Sequence, residues 1–237
     1  MGHIHLPDGV LPPGLVVVSF VLCGIVLAMA NRRLHAVPGA PFRIASMCSI
    51  MVVSMSVPIL FLPVHANMAA LAGIVLGGWQ ALVAVFTANL ILAFIQHGGI
   101  TVVGLNTLVL GTEAALASAL FRKLSRVTAA RSRPALGAAA ATLMSLLAST
   151  AFMIVTLAVS SPQGSAMSAV VEPFLRTPGS GAGGVLSVPA FGSPSVGAAL
   201  PRLVVPVVAV GLIVETTITA LLVGFLSRTR PSLINRR

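Results

Sequence analysis

Long runs of apolar residues, separated by short clusters of basic and turn-forming residues, dominate the pattern along the chain. A helix needs about 17–25 mostly apolar residues to cross a bilayer. The pattern predicts membrane-spanning helices in five segments: residues 14–30, 44–62, 108–121, 135–159 and 203–226. The third apolar run is short, so we expect its helix to begin before residue 108. Pro58 is expected to kink the second helix near its end.

The apolar stretch at residues 68–95 is open to two interpretations, because Gly77 and Gly78 interrupt it. It forms either one long tilted helix, or a short piece and a full helix that meet at the glycines. The excess of arginine in cytoplasmic loops places the basic clusters on the inner side of the membrane. The chain then has to enter and return between His65 and His97. This favours two helices, with a re-entrant first piece that is packed by protein.

Together these segments predict an all-α polytopic membrane protein with about six to seven helices, including the short or re-entrant piece. The basic clusters orient it with the N-terminus outside and the C-terminus inside. Residues 1–237 form a single transmembrane domain in this interpretation, with residues 160–202 as an external loop rich in Gly, Ser and Pro. Residues 1–13 are an external segment that lacks the basic region of a signal peptide, so we expect it to be retained.

The composition excludes several other classes of protein. Of the 237 residues, 57% are hydrophobic and 8% are charged, whereas soluble domains are about 25% charged. A soluble enzyme, a disordered chain and a coiled coil do not fit these values. The formal net charge of +10 comes from basic clusters between apolar runs, which is typical of loops attracted to anionic lipid rather than of a nucleic-acid interface.

Four of the five histidines fall on the external side of the predicted topology: His3, His5, His65 and His97. Imidazole is a common ligand of Ni, Co, Cu and Zn. At the N-terminus, the free amine and the backbone amides add further nitrogen donors. Such a set favours square-planar nickel or copper.

Each histidine also has a purely structural interpretation. His3 and His5 could belong to a polar tail, and His65 could cap a helix together with Asn67. For His97, which precedes two glycines, we favour the structural interpretation of a helix end.

The chain has four acidic residues, and two of them fall within or at the edge of apolar spans: Glu113 and Glu215. Carboxylates in the membrane are costly and are usually paired or functional. Pairing with an arginine is as consistent with the sequence as contact with a substrate. Asp8 is predicted to form a tight turn with Gly9. The sequence contains no phosphate-binding glycine loop, so we expect no ATPase activity of its own.

Residues 6–12 (LPDGVLP), 65–79, 97–107 (HGGITVVGLNT) and 211–219 resemble motifs of the CbiM/NikM family. Members of this family are the substrate-binding (S) membrane components of energy-coupling-factor cobalt and nickel importers. The resemblance covers nearly the whole chain, and residues 97–107 are its most specific part. It implies a multi-pass protein of the cytoplasmic (inner) membrane that serves cobalt or nickel supply, including cobalamin biosynthesis.

The resemblance also implies a metal site and partner proteins. The site combines the N-terminal amine, the amide and imidazole of a histidine in second position, and a further histidine that matches His65. The implied partners are a transmembrane coupling subunit, ABC ATPase subunits and a small accessory membrane subunit, all within the lipid bilayer.

The N-terminus departs from the family pattern, because Gly2 separates Met1 from His3 where the family begins Met-His. An ungapped match aligns His5 with the family histidine, but His5 has no terminal amine beside it. Removal of Met1 would leave an amine, an amide and an imidazole on Gly2 and His3, with His65 as fourth donor. If Met1 is retained, residues 1–3 can close a four-nitrogen plane alone. The expected supporting residues around these metal ligands are Asp8, Asn67, His97 and Asn106.

The sequence therefore predicts the substrate-capture subunit of an ATP-driven importer of Ni²⁺ or Co²⁺, with the metal as transported substrate and no organic cofactor. The alternative is an intramembrane enzyme that uses Glu113 or Glu215 with a histidine for acid–base chemistry. The absence of an HExxH or paired-aspartate motif disfavours it. An ordinary secondary transporter would show inverted repeats, and the chain has no convincing repeat.

Overall fold

The structure is a computed structural model that describes residues 8–34, 37–57, 65–95, 97–126, 133–160 and 194–234, with side chains in the last range from residue 208 onward. This described part is all-helical and confirms the predicted fold class. The helices are α1 Pro13–Leu34, α2 Ala40–Ser56, α3 Ala69–Leu76, α4 Gly78–Phe94, α5 Val103–Leu124, α6 Pro134–Ser160, α7 Pro194–Thr229 and α8 Pro231–Ile234.

Four described helical segments are long and apolar enough to cross a membrane: α1, α5, α6 and Val208–Thr229 of α7. The protein is therefore a polytopic membrane protein. Helix α1 exposes large apolar side chains on its outer face: Val17, Val21 and Ile25 are each more than half exposed. Large apolar side chains on the outer face of a spanning helix are expected where lipid is the solvent.

The second helix is shorter than predicted. It begins at Ala40 and ends at Ser56, whereas the apolar pattern extended to residue 62. Val57 has an extended backbone, with φ −106° and ψ 117°. A residue that precedes proline is kept out of the helical region by the proline ring, so Pro58 is preceded by a helix end rather than a kink. Residues 58–64 lie outside the described residues.

The stretch between Met68 and Ile95 forms two helices that meet at Gly77, which confirms the two-helix interpretation. Gly77 has φ 87° and ψ 155°, a conformation that only glycine adopts without strain. All eight residues of α3 are buried, as a short helix within a membrane protein requires. At Gly73, an added Cβ would lie 2.0 Å from the carbonyl oxygen of Ala114, so α3 packs on α5 backbone to backbone.

Helix α7 corrects the predicted external loop. It begins at Pro194, so residues 194–202 are helical rather than part of a loop. Proline suits the first position of a helix because its φ is already helical and its missing N–H has no helical partner there. The rest of that predicted loop, residues 161–193, lies outside the described residues. The short helix α8 was not predicted.

Candidate metal centre

The described residues bring His65 and His97 together at one end of the bundle. His65 precedes α3 and His97 follows α4. Because the chain reverses at Gly77, the start of α3 and the end of α4 return to the same end. The two imidazole rings meet edge to face, with centroids 5.0 Å apart and an interplanar angle of 85°. A single cation between them could contact both rings.

The surroundings of His65 favour the neutral imidazole. Burial lowers the pKa of His65, the nearby His97 lowers it further, and the backbone carbonyl of Val57 partly opposes both effects. Metal ions bind the neutral form of imidazole. Among the described residues, the buried Nδ1 of His65 has no hydrogen-bond partner. Since buried polar atoms in native proteins are nearly always satisfied, this nitrogen is available to a ligand.

The side chain of Asn67, rather than that of His65, bonds the first backbone N–H of α3. The Asn67 Oδ1 atom accepts a hydrogen bond of 2.5 Å from the backbone N–H of Ala69. Asn67 is fully buried, and the next residue, Met68, has the left-handed φ of 58°. The Asn67 side chain therefore helps to fix the backbone that carries His65.

Asp8 ties the N-terminal part of the chain to the loop that follows His97. Its Oδ1 accepts hydrogen bonds from the backbone N–H of Thr101 at 2.7 Å and from the Thr101 Oγ1 at 2.5 Å. These bonds hold the pKa of the Asp8 carboxyl below its usual value. At Gly99, an added Cβ would lie 2.5 Å from the Asp8 backbone nitrogen. Only glycine fits there.

The remaining predicted site residues are not brought to this pair by the described part of the chain. Met1, Gly2, His3 and His5 lie outside the described residues. Asn106 is buried in the first turn of α5, and the described contacts do not join it to either histidine. In the ranges that the structure describes, no three His, Cys, Asp or Glu side chains form a metal-binding group. Two imidazoles are therefore what these ranges offer to an ion.

Two buried carboxyl groups lie within α5 and α7, and that of Glu215 is near the segment that leads from His65 into α3. Glu113 and Glu215 are 0% and 1% exposed. The Ser149 hydroxyl donates a 2.8 Å hydrogen bond to Glu113 Oε2. Glu215 experiences the charge of Glu113 and lies near the backbone amides of Asn67 and Met68. Helices α5 and α7 thus place acidic groups behind the backbone that presents His65.

Sequence reasoning missed two residues of this region, Thr101 and Ser149. Thr101 lies within the motif at residues 97–107, but its partner Asp8 is far away in sequence and looked like a turn residue. The turn itself is present, and Gly9 has φ 85°. Ser149 is a polar position inside an apolar span, which is the signal that could have marked it as the partner of a buried carboxyl group.

Comparison with known proteins identifies the family of the chain. A family model described as "Cobalt uptake substrate-specific transmembrane region" matches residues 5–233. A solved structure, described as a truncated transition metal transporter, is 23% identical, with a TM-score of 0.60 over 94% of this chain and 98% of that chain. At that identity the likeness supports the fold. No curated protein sequence matches the chain significantly. Because the family model spans nearly all of the sequence, the protein belongs to the CbiM family of substrate-specific transmembrane regions for cobalt uptake.

Proposed function

We propose that the protein captures Ni²⁺ or Co²⁺ on the external side of the cytoplasmic membrane, as the substrate-binding subunit of an ATP-driven importer. The observation that carries this proposal is the pairing of His65 with His97 beside the loop that anchors Asp8. It brings two imidazole rings next to the point from which the N-terminal residues continue. The family and the likeness to a transition metal transporter support the transport of a metal ion.

The missing donors come from the N-terminus in this proposal. An extended chain advances at most about 3.6 Å per residue, so the link from Asp8 to His5 can span at most about 11 Å and the link to His3 at most about 18 Å. Asp8 contacts the loop that follows His97, so these spans start from the end of the bundle that carries the two histidines. The N-terminal amine, a backbone amide and the imidazole of His3, together with the imidazole of His65, would then complete a nitrogen set suited to Ni²⁺ or Co²⁺.

Removal of Met1 decides between the two donor sets. If an aminopeptidase trims Met1, the amine belongs to Gly2 and His65 is a direct ligand. If Met1 stays, residues 1–3 can supply four nitrogens and His65 becomes an axial or supporting group. Intact-mass measurement of the native protein distinguishes the two, because a chain that retains Met1 rules out the trimmed site.

The protein does not supply the energy for transport in this proposal. Its sequence has no phosphate-binding glycine loop, so ATP hydrolysis is assigned to ABC ATPase subunits. A transmembrane coupling subunit, with a small accessory membrane subunit, would reorient the loaded protein toward the cytoplasm. The orientation follows from the arginine clusters, which lie at the opposite end of α1 and α5 from the histidines.

The test is calorimetric titration of Ni²⁺ and Co²⁺ into detergent-purified protein with an untagged N-terminus. We expect one tightly bound equivalent, lost in His65→Ala and in a protein with extra residues ahead of Met1. The same residues added after Arg237, and the exposed Ser46→Ala variant, are the matched controls and should bind normally. Unchanged binding in both altered proteins, with helicity and elution intact, would overturn the proposed site.

A further inference from the structure

A cavity lies beside the junction of α3 and α4, away from the histidines. It has a volume of about 490 Å³ and is bordered by the C-terminal part of α1, by one face of α5 from Leu108 to Arg122, and by the junction of α3 and α4 at Gly77. Apolar side chains form much of its wall, including Val26, Leu82 and Leu108. Trp79, the protein's single tryptophan, lies at its rim with Arg33 stacked on its ring.

Two arginines give this cavity a positive charge. The guanidinium carbon of Arg33 lies 4.6 Å from the centroid of the Trp79 ring. Arg122 donates a 2.9 Å hydrogen bond from Nη1 to the hydroxyl of Ser118. A guanidinium has five N–H donors, so both groups keep donors for a further acceptor. No acidic residue is among the described residues that line the cavity.

The start of α4 adds polar groups to the same wall. Gly78 and Gln80 line the cavity, and the N–H groups of a first helical turn have no acceptor within the helix. These donors reinforce the attraction of the two arginines for a negatively charged group. Gln80 is 7% exposed, and its Oε1 has no hydrogen-bond partner among the described residues. Gln80 is therefore a buried polar side chain with an unpartnered atom at the wall of the cavity.

From these contacts we infer that the cavity binds a phosphate ester, namely the headgroup of an anionic phospholipid. A bidentate guanidinium matches a phosphate well, and the apolar wall suits the first part of an acyl chain. Tryptophan at the rim is typical of the depth at which headgroups lie. Basic pockets between helices at the cytoplasmic side are suited to such headgroups. The site is separate from the metal centre, because the full length of the α3–α4 hairpin lies between them.

The single tryptophan makes the inference directly measurable. The purified protein is reconstituted with phosphatidylglycerol or phosphatidylcholine whose acyl chains carry bromine, which quenches Trp79 on contact. We expect phosphatidylglycerol to reach half-maximal quenching at a lower mole fraction than phosphatidylcholine. Each arginine should contribute about fivefold to this preference. Arg122→Gln is the principal variant, since it leaves the contact between Arg33 and Trp79 intact. Arg33→Lys keeps the positive charge but removes the bidentate guanidinium, so it tests whether that geometry matters.

Arg228→Gln is the matched control, because Arg228 is an exposed arginine in the last turn of α7 that does not line the cavity. The inference is supported if Arg122→Gln lowers the preference about fivefold and Arg228→Gln keeps it. Equal quenching by both lipids in the unaltered protein would overturn it, as would an equal loss in both variants. Titration of inorganic phosphate separates the two sources of the ligand. Displacement of brominated phosphatidylglycerol at millimolar phosphate would assign the site to the phosphate group alone and overturn the lipid as its specific occupant.

Discussion

The hydrogen bonds between Asp8 and Thr101 should raise the affinity of the protein for its metal. Asp8 is the point at which the N-terminal residues join the described bundle, and it is held there by two bonds to one oxygen. If His3 or His5 and the terminal amine bind the ion, they have to be near His65 when it arrives. Asp8→Ala releases the segment, and part of the binding energy is then spent on ordering it again.

The size of this effect follows from the contacts. A hydrogen bond to a charged group contributes about 1.5–3 kcal/mol when it is buried. Asp8 is exposed, and solvent reduces the combined value of the two bonds to about 1 kcal/mol. Because apparent affinity scales with the populated fraction of the competent state, Asp8→Ala should raise the dissociation constant about fivefold. Thr101→Val keeps the backbone donor and should raise it about twofold.

The assay is calorimetric titration with Ni²⁺ at constant pH and ionic strength. Thr156→Val is the matched control, because Thr156 makes an equivalent hydroxyl contact to Phe152 on the exposed side of α6. In the double variant of Asp8 and Thr101, the two losses should not add, since both substitutions remove the same contact. Affinity that stays unchanged in Asp8→Ala, while His65→Ala still abolishes binding, would refute the role of this anchor without refuting the metal site.

Three further outcomes are expected from the structure. Gly73→Ala should lower stability by about 3 kcal/mol, measured as thermal unfolding in detergent, whereas Gly24→Ala should be tolerated because nothing lies within 4 Å of its added Cβ. Ser149→Ala should cost about 1–3 kcal/mol because it removes a buried hydrogen bond to Glu113; no change in unfolding temperature would contradict that bond. Since the folded-state pKa of Asp8 is lowered, its stabilisation is present above pH 3.8 and is lost as pH falls through the folded pKa. Asp8→Asn should therefore differ from the unaltered protein at pH 6 and converge with it in acid.

The sequence was a good guide to the spans because the bilayer imposes a simple rule on helix length. Five apolar segments correspond to helices in the structure, and the glycines at 77 and 78 mark the break between α3 and α4. The errors fall at helix ends. Apolar character continued beyond Ser56, but Val57 precedes proline, and local backbone restriction ended the helix there. At Pro194 a helix begins in a segment whose Gly, Ser and Pro content indicated a loop.

The candidate site was harder to predict, since its contacts join residues that are distant in sequence. The notion that His65 and His97 share one side came from counting membrane crossings, and the hairpin through Gly77 brings their rings to 5.0 Å. Asp8 and Thr101 are 93 positions apart. Nothing in a turn motif such as that around Asp8 indicates which distant loop it will bond to. A pair such as Asp8 and Thr101 can be recognised only from the packing of the helices in three dimensions.

The buried carboxyl groups of Glu113 and Glu215 bear on how the protein accommodates a divalent ion. Burying two acidic side chains in an apolar interior costs free energy, and such residues usually have a function. Glu113 and Glu215 are therefore expected to have one. Their position offers one, because Glu215 lies near the amides of Asn67 and Met68, which form the backbone leading from His65 into α3. A divalent ion bound by neutral nitrogens brings positive charge into this end of the bundle with no carboxylate among its proposed ligands. Burial disfavours the charged form of a carboxyl group and a nearby cation favours it, so the arrival of the ion would allow these groups to balance its charge without occupying a coordination position.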